Sequence, residues 1–398
     1  MKYRTVQKQI NIKDNNCKLV LNLIRDNQEN NISRAGIAKI TKMSATSITR
    51  ITDYLMNLGL VRQAEAVATG TVGRNGFQLQ VVPDALLTAG ISIDSDYVDV
   101  CLLDFDDEII STERRELDRR PYAPEEILMT AKELFLNACK KAGVDSKLVK
   151  SIGISCIGNV DYQTGKVFFA PQFQWLNVEL GKMANDIFEQ PVFVDNDMKA
   201  SLVGLSHRHK DIAHEDVTYL SVGMGVGSAV MYGGVLVRGS NNASGEVGHI
   251  IVQPGGRRCD CGQRGCIQTY LTKVSWIEQC QEEGNYVENI FQIYESFARE
   301  EEWAIKFVER QADHLALLIR NLVYMYNTEY ILVGGAIIYD FPELFKLVEG
   351  KVEELLHVNL YSDLHLMRVP EKDNSVVGAA FMAQEIYMEK VLFKDAGV

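Results

Sequence analysis

The run GEVGHIIVQPGGRRCDCGQRGC, residues 245–266, constrains this chain more than any other stretch. It carries one imidazole, His249, and three thiols, Cys259, Cys261 and Cys266, close enough in sequence to enclose a single ion. Thiolate and imidazole are the donors zinc prefers, and four of them complete a closed tetrahedral site of the structural kind, which suits zinc better than iron. Gly255, Gly256, Gly262 and Gly265 allow the sharp backbone turns that bring such ligands together. The other five cysteines, Cys17, Cys101, Cys139, Cys156 and Cys280, are scattered singly among apolar residues and read as small core hydrophobes. A thiolate site among eight cysteines points to a reducing cytoplasm.

A chain of 398 residues exceeds one ordinary core, so two or three domains are expected. The 46% hydrophobic and 24% charged content reads as soluble and globular. No apolar run approaches the roughly 18 residues of a membrane span, and the opening MKYRTVQKQINIKDNN lacks the apolar core of a secretory signal. The net charge of −12 is unevenly placed. Residues 1–88 hold 12 basic and 6 acidic side chains, leaving 29 basic and 47 acidic for the rest. A basic amino-terminal module on an acidic body suits a protein that touches phosphates with one end.

That module, residues 1–82, has the pattern of a winged helix-turn-helix. Residues 16–28 place Leu19, Val20, Leu23 and Ile24 on one helical face. A second helix starts at the N-cap Ser33, a short turn Thr41-Lys42-Met43 follows, and Ser44 caps a third helix, Ala45 to Leu58, closed by Gly59. Ile48, Ile51, Leu55 and Leu58 face the core. Ser44, Thr46, Ser47, Thr49 and Arg50 are small or hydrogen-bonding and suit close entry into a major groove, with Arg34 as a further DNA contact. GLVRQAEAVATGTVGRNGFQLQVV then reads as two short strands about a glycine-rich turn, a wing with Arg74 as its minor-groove or phosphate contact. An ordinary three-helix bundle with a hairpin is the alternative. Residues 83–89 are expected to form a linker.

From Gly90 onward buried strands alternate with helices, and PVFVDND, VTYLSVGMGVGSAVMYGGVLV and YILVGGAII each run into polar or glycine-rich residues, the pattern of an α/β body with its chemistry at strand ends. SGEVGH followed by CDCGQRGC resembles the signature of the ROK family (repressors, open reading frames and sugar kinases), within the actin-like ATPase/sugar-kinase superfamily. With the helix-turn-helix, the chain is similar to that family's NagC-, Mlc- and XylR-like repressors. The resemblance implies a two-lobed, ribonuclease H-like body: a smaller lobe over 90–197, completed by a C-terminal helix 376–398, and a larger lobe over 198–375. It implies a sugar effector, an operator of double-stranded DNA, and a homodimer or homotetramer. The family's sugar contacts fall on Asn196, Asp197, Glu246 and His249, with Gln268 where the family usually has Glu. One His249 nitrogen would bind zinc and the other the sugar, so that structural Zn2+ fixes the sugar loop.

The resemblance also exposes what is missing. Family kinases carry Asp and then Gly-Gly-Thr in the first hairpin as a phosphate cradle; aligned on Gly90, this chain has Ser92 and then Asp94, Ser95 and Asp96. The second loop, Gly-Thr-Gly in kinases, is Gly223-Met224-Gly225. Asp197, the kinase general base, is retained but would be vestigial without a phosphoryl donor. The expectation is a sugar-responsive repressor without enzymatic activity; the alternatives are an active sugar kinase using ATP with Asp197 as base, and a DNA-binding protein whose body no longer binds a ligand.

Overall fold

A computed structural model describes residues 9–27, 32–64, 77–118, 120–357, 359, 362–372 and 374–393. The chain forms two compact units, one of Met1–Ile154, Leu180–Phe193 and Ala379–Val398, the other of Ser155–Glu179 and Val194–Gly378. No helix among the described residues is long and apolar enough to cross a membrane.

The first unit opens with α1 (Gln9–Asp26), α2 (Arg34–Thr41) and α3 (Ala45–Asn57). The Ser33 hydroxyl accepts from the Gly36 N–H and the Ser44 hydroxyl from the Ser47 N–H, so both expected caps satisfy a free amide of their helix. Two details of the helical faces differ from expectation. On α1 the buried face is Cys17, Val20, Leu21 and Ile24, a set with clean helical spacing, whereas Leu19 is exposed. Leu58 sits at the C-cap of α3, past the last full turn, and is also exposed.

Strands β1 (Val61–Ala64) and β2 (Gln78–Val81) pair antiparallel, with Val61 opposite Val81 and Ala64 opposite Gln78. The turn between them, and with it Arg74, lies outside the described residues. The stretch 83–89 is not a linker. Pro83–Ala85 is a 3-10 turn, Leu86 is buried, and Leu87 begins β3 (Leu87–Ile93), buried at all seven positions. Apolar residues of α1–α3, Leu60, Val61, Leu79 and Val81 share one core with Leu86, Phe105, Met388 and Phe393.

Strands β3, β4 (Tyr97–Leu103) and β5 (Ile109–Glu116) form an antiparallel meander. Helix α4 (Pro124–Ala142) has Pro at its first turn, Glu125 and Glu126 beside its positive end, Lys140 and Lys141 beside its negative end, and Gly143 in the left-handed region as a stop. Strand β6 (Val149–Cys156) follows.

Residues 155–179, expected within the first lobe, fold with the second unit. They form β7 (Asn159–Asp161), β8 (Lys166–Ala170) and β9 (Trp175–Val178), an antiparallel three-stranded sheet. Long-range bonds hold it there: Asn196 Nδ2 donates to Gly158 O and Asn242 Nδ2 to Val160 O. After α5 (Leu180–Ile187), β10 (Val192–Asn196) completes the first five-stranded sheet, in the order β10-β6-β3-β4-β5.

The second unit continues with α6 (Asp197–Arg208), β11 (Val217–Val222), β12 (Val226–Tyr232), β13 (Val235–Leu236), α7 (Gln268–Leu271), α8 (Lys273–Glu282), α9 (Ile290–Ala298), α10 (Glu302–Tyr326), β14 (Tyr330–Gly334), α11 (Ala336–Asp340), α12 (Pro342–Leu355) and β15 (His365–Arg368). Its sheet runs β13-β12-β11-β14-β15, with β14 parallel to both neighbours, an order that needs the crossover helices. The long helix α10 buries Phe307, Val308, Leu315, Leu318, Ile319 and Leu322 in one apolar cluster of the second unit. Helix α13 (Asn374–Tyr387), which ends in a π-helical turn Met388–Leu392, starts in the second unit and finishes in the first.

Candidate metal centre and ligand site

The sulfur- and nitrogen-bearing loop is shaped by two glycines. Gly245 (φ +93°) lies where a Cβ would strike the Ser228 carbonyl, and Gly245 O accepts from the Ser228 N–H at 3.0 Å, which clamps the loop to β12. The 3-10 turn Val247–His249 then carries the imidazole. Further along, Gly265 (φ +82°) packs onto the Gln253 carbonyl, and the bridges Ile251–Cys266 and Arg258–Arg264 fold the cysteine segment back on itself.

The result is a cluster in which the ligand atoms of His249, Cys259, Cys261 and Cys266 all lie within 4.8 Å of one another. The fit to zinc can be tested on the edges. With metal–sulfur bonds of about 2.3 Å and metal–nitrogen bonds of about 2.0–2.1 Å, a tetrahedron has sulfur–sulfur edges of about 3.8 Å and sulfur–nitrogen edges of about 3.6 Å. Cys261 Sγ to Cys266 Sγ is 3.7 Å, and Cys259 Sγ to His249 Nδ1 is 3.7 Å. The residues therefore fit a tetrahedral ion, with Nδ1 as the imidazole donor and Nε2 on an exposed residue left for another partner. The Gln263 backbone N–H holds the exposed Cys261 thiol below its ordinary pKa. By contrast burial pushes the Cys139 thiol up to about 11 and Cys280 to about 12, as expected of inert core thiols.

Gln268 does something other than expected. Its Nε2 donates to Cys259 Sγ at 3.2 Å, so the amide supports a thiolate of the cluster.

The other candidate residues sit where β10 runs into α6. Asn196 is the N-cap of α6: its Oδ1 accepts from the Met198 and Lys199 N–H groups, and its Nδ2 donates to Gly158 O at 3.0 Å and Asp197 Oδ1 at 2.7 Å. All four positions of that amide are taken up by protein partners, so Asn196 orients Asp197. Asp197 stands at the first turn of α6, half-buried, where the helix dipole favours a carboxylate.

Four residues that the sequence reading did not single out build the frame around these groups. Asp195, 7% exposed, pairs with Arg238 at 2.7 Å and accepts from Asn242 Nδ2 at 2.9 Å. Arg238 also donates to Asn242 Oδ1 at 3.0 Å and lies over the Tyr162 ring at 4.0 Å. Lys199, 2% exposed, donates from Nζ to Ser244 O at 3.1 Å. Burial pushes its pKa down, against the pull of Asp195, Glu246 and Asp197. This bond joins the segment of Asn196 and Asp197 to that of Glu246 and His249, since Lys199 is two residues past Asp197 and Ser244 two before Glu246. Glu246 and His249 are exposed on the same loop. The proximity of Arg238 and Asn242 to SGEVGH was the available signal; nothing local flagged Lys199.

In the first unit, the turn between β3 and β4 is bonded to itself. The Asp94 N–H donates to Tyr97 O, and the Ser95 N–H and hydroxyl both donate to Asp94 Oδ1 at 2.6 and 3.1 Å. Two amides of the turn are thus directed at protein oxygens, and Asp94 and Asp96 flank Ser95. Burial raises the Asp94 pKa. Ser92 is buried within β3. In the second unit Gly223 and Gly225 close on each other through a backbone bond of 2.9 Å, with Met224 between them.

On α3, Ser44, Thr46, Ser47, Thr49 and Arg50 are all exposed along one face, continuous with Lys42. Arg34 is not part of that free face. Its Nε donates to Thr52 Oγ1 at 2.7 Å and its Nη2 pairs with Asp53 at 2.8 Å, cross-linking α2 to α3.

Comparison with known proteins gives the fold its class, the actin-like, sugar-kinase type of α/β protein. The chain belongs to the ROK family, whose model matches residues 88–386. It is 29% identical over 347 residues to a xylose repressor of Caldicellulosiruptor bescii, covering 84% of this chain and 86% of that one. It is 25% identical over 403 residues to the DNA-binding transcriptional dual regulator NagC of Escherichia coli, covering 96% and 95%. A crystal structure of a ROK family transcriptional regulator, a homologue of the E. coli Mlc protein, superimposes with a TM-score of 0.80 at 22% identity over 96% of this chain and 98% of that one. Kinases share the fold as well: the ROK hexokinase of Thermus thermophilus gives 0.66 at 20% identity, covering 76% of this chain and all of that one.

Proposed function

We propose that the protein is a sugar-responsive transcriptional regulator, a repressor that binds operator DNA through a winged helix-turn-helix made by α2, α3 and the β1–β2 hairpin, and that has no kinase activity. The observation that carries the reading is the exposed face of α3, where Ser44, Thr46, Ser47, Thr49 and Arg50 stand clear on a doubly capped helix pair. The named repressors among its relatives support it, because the matches extend over the amino-terminal module. Arg74 on the wing would add a phosphate or minor-groove contact.

The effector is a sugar taken by Asp197, Glu246 and His249, with structural zinc on His249, Cys259, Cys261 and Cys266 holding the loop in place. Binding alters DNA affinity only to the extent that the sugar prefers one arrangement of the protein over another. Two copies, in a homodimer or homotetramer, would place two recognition helices on one operator. A mobility-shift titration with the DNA upstream of its own gene tests the reading. A sequence-selective, salt-sensitive shift that a sugar modulates is expected; no selective shift, there or in a genomic selection, overturns it.

The retained Asp197 favours one second reading, phosphoryl transfer from ATP with that carboxylate as base. It requires a phosphate cradle, and the internally bonded turn Asp94–Asp96 speaks against one. ATP consumption with a panel of hexoses decides between the two.

A further inference from the structure

The eight cysteines do not share one environment. Seven are buried, and Cys261 alone is exposed. It stands at the tip of a tight hairpin: the Cys259 N–H donates to Gln263 O, the Gly262 N–H donates to Cys259 O, and Arg258 pairs with Arg264 as a β-bridge. Gly262 at φ +90° and Gly265 at φ +82° shape this knuckle. The Cys261 sulfur lies 3.7 Å from the sulfur of Cys266, which is fully buried. Cys259, at 2% exposure, is instead engaged by Gln268 Nε2 at 3.2 Å. Solvent therefore reaches the cluster at one sulfur, and that sulfur has a second one close by. A thiol that coordinates zinc is deprotonated. An accessible thiolate beside a second cysteine is the arrangement found in oxidant-sensing sites.

We infer that the knuckle is an oxidant-responsive modification site: a peroxide oxidises Cys261, Cys266 resolves it as a disulfide, and the metal centre is dismantled. The Cys261 thiolate attacks the O–O bond of hydrogen peroxide, keeps one oxygen as a sulfenic acid, and the other leaves with a proton as water. The Cys266 thiolate then attacks the Cys261 sulfur, forms the S–S bond and expels the sulfenic oxygen, which departs with a second proton as water. Two thiolates give up two electrons, and one peroxide and two protons become two waters. The sulfurs, 3.7 Å apart, must close by about 1.7 Å to reach a bond of about 2.05 Å, a movement within a turn already built on two glycines. His249 and Cys259 would be the only donors left of a closed four-ligand set. A disulfide within the knuckle cannot replace the tie to the His249 side chain. What this does to ligand binding rests on the sugar-sensing reading above: Glu246 shares its loop with His249, so the oxidised protein would hold sugar less well.

The test uses the full-length protein, loaded with zinc and freed of reductant. Hydrogen peroxide is titrated in, released zinc is read with a colorimetric chelator, and disulfides are mapped by mass spectrometry after alkylation. One zinc per chain is expected to leave in step with a Cys261–Cys266 linkage, and dithiothreitol with added zinc should restore the loaded state. Zinc retained in excess peroxide, or a linkage mapped to any other pair, overturns the inference. Cys261→His keeps a zinc donor at the tip but removes the accessible sulfur, and should release zinc roughly 10-fold more slowly at the same peroxide. Release at the wild-type rate refutes Cys261 as the point of attack. If that variant does not load zinc, the linkage map of the wild type decides. Sugar affinity, measured by calorimetry with D-xylose, D-glucose and N-acetyl-D-glucosamine, is expected to fall about 10- to 100-fold on oxidation and to recover on reduction. Affinity that survives oxidation overturns the consequence drawn for ligand binding. A reduced protein that binds none of the three brings down the sugar-sensing reading, and the zinc and disulfide results still judge the present one.

Discussion

Replacing Gly245 with alanine should disconnect ligand binding from DNA binding. A Cβ at this position would lie 2.0 Å from the Ser228 carbonyl oxygen, where side chains essentially never come closer than 3.0 Å, so the loop must retreat by about 1 Å. It must also hold an L-residue at φ +93°, a conformation that costs roughly 1–3 kcal/mol outside glycine. The retreat breaks the bond from the Ser228 N–H to Gly245 O, worth about 0.5–1.5 kcal/mol. Together these amount to about 1.5–4.5 kcal/mol, borne by the clamped loop that carries Glu246 and His249. Sugar affinity should fall roughly 10- to 2,000-fold, and zinc should pass faster to a competing chelator. The α3 face belongs to the other unit, so sugar-free DNA affinity should stay within twofold. Titration calorimetry, a colorimetric zinc-release assay and mobility shifts on the same preparation give all three values. A variant that keeps wild-type sugar affinity and zinc retention would show that the clamp does not position the loop.

Four further outcomes are expected. Cys261→Ser, or chelation of the wild type, should lower metal content, melting temperature and sugar affinity together, and metal retention should weaken as pH falls and the thiolates take up protons; sugar affinity that survives metal removal contradicts the shared role of His249. Arg25→Met should cost about 1–3 kcal/mol in denaturant unfolding, because it takes from the half-buried Asp107 carboxylate its buried guanidinium partner while Glu385 keeps Lys18; no loss refutes this. Asp94→Asn should raise stability at pH 7: burial lifts the folded pKa above the unfolded 3.8, so the native carboxylate costs stability once the pH has risen through that window, and the gain should vanish below pH 3.8; melting curves at pH 7 and 3 check the sign. Arg50→Ala should weaken DNA binding and reduce the slope of log affinity against log salt by about 1, with stability unchanged, whereas Arg34→Ala should lose stability because its guanidinium links two helices; salt titrations and melting curves tell these apart.

Those parts of the molecule set by local chemistry could be read from the residues themselves. The metal cluster follows from donor type and spacing, and Ser33 and Ser44 cap their helices because a hydroxyl at that position has a free amide within reach. What escaped local reading depends on partners far away in the chain. Asp195 meets Arg238 and Asn242 more than 40 residues on, and Lys199 meets Ser244 across a similar gap. A lysine in an apolar helix reads as surface until the loop that covers it is known. Asn196 has the chemistry of a sugar contact, but the cap it forms takes up the amide. Gln268 turns to a sulfur that the fold places beside it. Residues 83–89 have the small-residue look of a linker, yet Leu86 joins the apolar cluster of the three helices and Leu87 is buried at the start of β3.

Because Phe105, Met388 and Phe393 are built into the same apolar cluster as the three amino-terminal helices, the amino-terminal module is not a detachable cassette. Excised at the usual domain boundary it would bare a greasy underside, and a hybrid regulator that borrows it would have to bring along the β4–β5 turn and the last turns of the carboxyl-terminal helix.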